Sequence, residues 1–141
     1  MAASAWVVHD KAKQTMLNGT LDLDNDAMEM RLYTSASTIS GQALSDASTA
    51  TGEVAGGTGY SADALTVTVS ETGGTTTVDS TDGQWTASGG SITARYAAII
   101  DTTATPDEVI CHCQLDTGDV TATDGNTFTV QINASGVFTL T

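Results

Sequence analysis

The sequence predicts a mainly β protein: an antiparallel β-sandwich or barrel-like single domain with a short N-terminal helix. Three observations carry this. Leu65, Val67 and Val69 alternate with Thr66, Thr68 and Ser70, and Ile92, Ala94, Tyr96, Ala98 and Ile100 repeat the pattern, the period of two that turns one apolar face inward. Thr72-Gly73-Gly74, Thr81-Asp82-Gly83 and Ser88-Gly89-Gly90 interrupt these runs with turn chemistry. Short strands at such spacing describe a meander from Gly59 to Asp101 that closes into a sandwich or barrel.

The remaining elements follow in order. Trp6 to Leu17 has a loose 3.6-residue period, and Asn18-Gly19 is a fitting C-terminal stop, so a helix is expected there, with Lys11 and Lys13 in its last turns. Residues 1–19 are thus an N-terminal arm and helix. Thr20 to Leu23 reads as a strand, Asp24 to Asp26 as a turn, and Met28, Met30 and Leu32 as the inward face of a second strand. Residues 35–58 hold little to bury and form a long surface loop, with a helical turn around Ala43, Leu44 and Ala47. Beyond a loop at Pro106, Glu108 to Asp116 is a strand with Val109, Cys111, Cys113 and Leu115 on one face and Ile110, His112 and Gln114 on the other. Phe128 to Ile132 and Val137 to Leu140 read as a terminal hairpin.

A chain of 141 residues suits one domain, residues 1–141, and can hide roughly 70% of its unfolded surface. Aromatics make up only 5%, which leaves Trp6, Tyr60, Trp85, Tyr96, Phe128 and Phe138 as the large anchors of an aliphatic core. The net charge of −13 comes from 17 acids against Lys11, Lys13, Arg31 and Arg95. That balance argues against nucleic acid, whose binding rests on neutralised phosphates, and against an anionic membrane surface. Ala2 to Val8 lacks the basic start and the length of a secretory signal, so synthesis in a cytoplasm is expected. Asn18-Gly19-Thr20 and Asn133-Ala134-Ser135 match the glycosylation pattern, which matters only for a chain secreted from a eukaryote.

No motif announces chemistry. Cys111-His112-Cys113 looks like a metal site, but on a strand the thiols and the imidazole face opposite ways, so the cysteines read as small buried residues beside an exposed histidine. Asp22-Leu23-Asp24-Asn25-Asp26 opens like a calcium loop, yet Ala27 and Tyr33 stand where glycine and glutamate are needed. An acidic turn is the plain reading, with a looser ion site near Asp22–Asp26 left open. Gly56-Gly57-Thr58-Gly59 lacks the strand–loop–helix setting and the lysine of a phosphate loop. Two histidines give little material for a triad, so neither catalysis nor a cofactor is expected.

Several segments carry a family resemblance: Lys11-Ala12-Lys13 through Gly19-Thr20-Leu21-Asp22-Leu23-Asp24, Met28 to Tyr33, Glu53-Val54-Ala55-Gly56-Gly57-Thr58-Gly59-Tyr60, Trp85 to Tyr96, and Thr123 to Val130. In this order they resemble a group of tailed-bacteriophage virion proteins of about this length. The resemblance covers nearly the whole chain and carries no catalytic motif. It implies a capsid decoration, or cement, protein bound to the major capsid protein on the virion exterior, often as a trimer. A head-fibre or tail component, or a receptor- or carbohydrate-binding β-module, is the alternative. Candidate contact residues are Trp6 and His9 in the arm, Leu44 and Glu53 in the long loop, and Arg95, for which Glu53 or Asp101 is the expected ion-pair partner.

Overall fold

The computed structural model describes residues 3–141. Its elements in chain order are β1 (Val7–Val8), α1 (Asp10–Leu17), β2 (Met28–Tyr33), a 3-10 turn at Ala47–Thr49, β3 (Asp63–Leu65), β4 (Val67–Thr72), β5 (Thr75–Ser80), β6 (Gly83–Thr86), β7 (Ile92–Ala94), β8 (Tyr96–Asp101), β9 (Glu108–Gln114), β10 (Val120–Ala122), β11 (Thr127–Val130) and β12 (Phe138–Leu140). The architecture is mainly β, antiparallel and sandwich-like, with one short helix near the N-terminus. No helix among the described residues is long and apolar enough to cross a membrane.

A five-stranded antiparallel sheet, ordered β1-β9-β8-β2-β3, organises the rest. Met28, Met30 and Leu32 of β2, Ala97 and Ile99 of β8, and Cys111 and Cys113 of β9 form its inner face. Facing them are Val67 and Val78 from the sheet β12-β5-β4, Trp85, Phe128 and Val130 from the pair β11-β6, and Ile92, Ala94 and Ala122 from the pair β10-β7. Trp85 is the hub. Its ring lies 6.0 Å from Tyr60 and 6.2 Å from Phe128, and its Nε1–H donates to the Ser61 carbonyl at 2.6 Å. A sealed tryptophan of this kind is worth about 3–5 kcal/mol against alanine.

The opposite face of the same sheet is also covered. Tyr33, Ala98, Ile100 and Val109 pack there against Ile39 and Ala47, with Leu44, Ala50 and Tyr96 at the margin. Residues 35–58 are therefore not simply the surface loop expected from their composition. Ile39 is fully buried, and the segment is tied down by Ala47 N–H to the Asp107 carbonyl, Val109 N–H to the Ser45 carbonyl and Thr34 N–H to the Gly52 carbonyl, each 2.8–2.9 Å. The expected helical turn is present but short, at Ala47–Thr49, where the Asp46 carboxylate accepts from Ser48 N–H.

Several sequence expectations are corrected. The helix begins at Asp10 rather than Trp6, because Val7 and Val8 pair with His112 and Cys111 on the edge of β9. Lys11 and Lys13 consequently lie in its first half, where Lys13 bonds Asp10. Thr20 to Leu23 is not a strand. Its neighbouring polar groups are spent locally, with Asp22 N–H donating to Asp26 and the Asn25 amide to Asp22 and Asp24. The partners of β2 are β3 and β8 instead.

The expected meander is only partly present. Thr72-Gly73-Gly74-Thr75 is a true hairpin, with both glycines at positive φ as a two-residue turn of this kind requires. The long alternation from Ile92 to Ile100 breaks at Arg95, after which Ala97 and Ile99, rather than Tyr96 and Ala98, face the main core. Likewise β11 and β12 do not pair with each other; they join β6 and β5. In β9 a bulge at Ile110, where the register moves from Ile99↔Cys111 to Ile100↔Val109, splits the predicted face. Val109 goes to the second cluster, while Ile110, Cys111 and Cys113 go to the main core.

Candidate functional site

Of the candidate contact residues, His9 and Leu44 are brought together, and they meet inside the protein. The end of β1 delivers His9 to a fully buried position beneath the 35–58 segment. Its Nδ1–H donates to the Leu44 carbonyl at 2.6 Å, and its Nε2 lies 2.8 Å from Nδ1 of His112. A carbonyl only accepts, so His9 carries its proton on Nδ1 and His112 supplies the proton between the rings. His112, expected on the solvent face, is only 7% exposed. Tyr96 stands edge-on to it at 6.5 Å.

Both imidazoles are held neutral. Burial lowers the pKa of His9, against smaller opposing pulls from the Leu44 carbonyl and Asp10. Burial and the neighbouring His9 ring lower that of His112 to about 4. The thiols are equally enclosed. Burial pushes Cys111 well above the ordinary thiol value and Cys113 up to about 12. The nucleophilic thiolate is therefore not populated near neutral pH.

Trp6, Glu53 and Arg95 stand apart from that pair and from each other. Trp6 is half-buried, packs against the main core, and lines a cleft of about 780 Å³ between the N-terminal arm and residues 131–138. Glu53 is exposed, and its carboxylate accepts from the Tyr60 hydroxyl at 2.9 Å, which in turn accepts from Leu32 N–H. Arg95 pairs with Asp119 at 3.0 Å, not with Glu53 or Asp101. Asp101 turns inward instead and accepts from Thr103 N–H at 2.7 Å.

Sequence reasoning missed the most enclosed of the ion-paired basic side chains. Arg31 of β2 is held between Glu29 and Asp107, the latter at 2.8 Å, with its side chain only 16% exposed. Burial pulls against its charge, but Asp107 and Glu29 outweigh that and raise its pKa. Alternation had placed Arg31 on the outward face of a strand; that the long segment reaches back over this face has no local signature.

Among the described residues, the exposed large apolar side chains are Leu17, Val69 and Leu140. Val69 and Leu140 line a second groove, of about 410 Å³, between the three-stranded sheet and the turn that follows α1. No group of three or more His, Cys, Asp or Glu among the described residues is placed to hold a metal ion. No protein-family model, curated protein or solved structure matches the chain.

Proposed function

We propose that the protein is a structural virion protein of a tailed bacteriophage, a capsid decoration protein that binds the outer face of the major capsid protein lattice and stabilises the shell. The observation that carries the reading is where its reactive groups lie. The two imidazoles bond one another and the two thiols are sealed in the core, so they serve the fold. What the exterior offers is an acidic surface rich in threonine and serine, with two clefts suited to another protein. The resemblance to phage virion proteins supplies the particular assembly and the trimeric state that such proteins often adopt.

The mechanism is mass action. A protein that binds the assembled lattice and not its free subunits stabilises each site by roughly 3 kcal/mol at a hundredfold excess over Kd. Summed over a symmetric shell, that resists internal pressure without any reaction.

Sedimentation tests the proposal. The purified protein is mixed with undecorated procapsids and with expanded capsids of its phage, and co-pelleting with either is expected. Failure to pellet with both, together with signal on a glycan array, would replace this reading with a carbohydrate-binding module.

A further inference from the structure

The groove at the end of the three-stranded sheet combines two features that define a partner. Its floor is apolar. Val69 sits opposite Val78, and Leu140 opposite Thr76, so both project from one face of the sheet toward Met16 and Leu23. Val69 and Leu140 remain 38% and 52% exposed, with Leu17, 87% exposed, next to Met16 in sequence. Its rim is acidic, because Asp22 and Asp24 line the same groove. The two carboxyls interact directly, and Asp22 raises the pKa of Asp24. Both carboxylates accept from the Asn25 amide at 3.0 Å and lie exposed to solvent, where a lysine or arginine can reach them.

We propose that this groove is the docking site for a segment of another protein that combines apolar side chains with lysine or arginine. A second copy of this chain is the poorer occupant, because a net charge of −13 sets like chains against one another. Of its four basic residues, Lys13, Arg31 and Arg95 are paired with acids and Lys11 donates to Gln14. An anionic surface is repelled by the rim and by the net charge of −13. The inference concerns what fills the groove and holds wherever on an assembly the protein sits.

The test is a titration of the full chain, followed by amide chemical shifts, with short synthetic peptides of alternating leucine and lysine, leucine and glutamate, or serine and lysine. The leucine–lysine peptide is expected to shift Met16 to Asp24, Val69, Thr76 and Leu140, and the other two to bind far more weakly. The variant Val69→Thr/Leu140→Ser should lower affinity about tenfold through lost apolar contact. The variant Asp22→Asn/Asp24→Asn should weaken binding and flatten its salt dependence. The second variant decides the matter if the first loses its native spectrum. Shifts scattered over the whole acidic surface, equal binding of the serine–lysine peptide, or unchanged affinity in the variants would overturn the proposal. Such an outcome together with retained capsid pelleting would reject the groove and leave the decoration reading standing.

Discussion

Acidification should destabilise this protein well before its carboxylates titrate, because two neutral imidazoles are built into its interior. The sign follows from proton counting. His112 has a folded pKa of about 4 against 6.5 for the free side chain, so between those values the unfolded chain binds more protons. Stability therefore rises with pH through this window. The contribution is complete above pH 6.5 and is lost progressively as pH falls toward 4. At about 1.4 kcal/mol per pH unit the His112 share approaches 3 kcal/mol, a large part of the roughly 5–15 kcal/mol that holds a domain. His9, lowered for the same reason, acts in the same direction. Asp101, whose pKa is raised by burial, acts oppositely: the folded state takes up its proton first, so it restores some stability at the acid end. The assay is urea unfolding at intervals from pH 8 to pH 4.5, followed by the fluorescence of buried Trp85. In His112→Asn the amide nitrogen stands where Nδ1 stood, keeping the donor to His9 without a titrating ring, and the slope should shrink. A wild-type stability that stays level from pH 7.5 to 5, or an equal slope in His112→Asn, would refute the assignment of two buried neutral rings.

Gly59→Ala should cost about 2 kcal/mol or more, since residue 59 has φ +83 and its new Cβ would collide with the Thr86 carbonyl oxygen; thermal unfolding measures it. The two arginines should behave differently in the same assay. Arg95→Ala should change stability by less than about 1 kcal/mol, because it makes a single ion pair with a partner, Asp119, that is open to solvent. Arg31→Ala should cost about 2 kcal/mol or more by leaving Glu29 and Asp107 without their enclosed cation, and a double-mutant cycle with Asp107→Asn should recover part of the loss.

Local chemistry was readable wherever a short stretch decides its own structure. The Gly73-Gly74 hairpin, the inward methionines of β2, and the thiols of Cys111 and Cys113 on one face are each where period and turn residues put them. Distant pairings were not readable. His112 alternates like an outward residue, and its partner His9 lies 103 residues away, so nothing local marks the covering of that face. Val7 and Val8 are too few to display a strand period and were absorbed into the helix. Arg95 interrupts an alternation whose alanines at 94, 97 and 98 suit either side of a sheet, so the exchange of faces left no trace in hydrophobicity. Of the candidate contacts, His9 proves to be buried, and it meets Leu44 through that residue's backbone carbonyl, which no side-chain pattern announces.

The additional residue in β9 has a mechanical meaning. Because Ile110 is accommodated without a partner in β8, one ribbon sends Val109 to one side and Ile110, Cys111 and Cys113 to the other, anchoring both hydrophobic compartments with the same stretch of backbone. Opening either compartment would disturb the ribbon that the other is built on. Heat should therefore melt the two compartments in a single transition rather than in sequence.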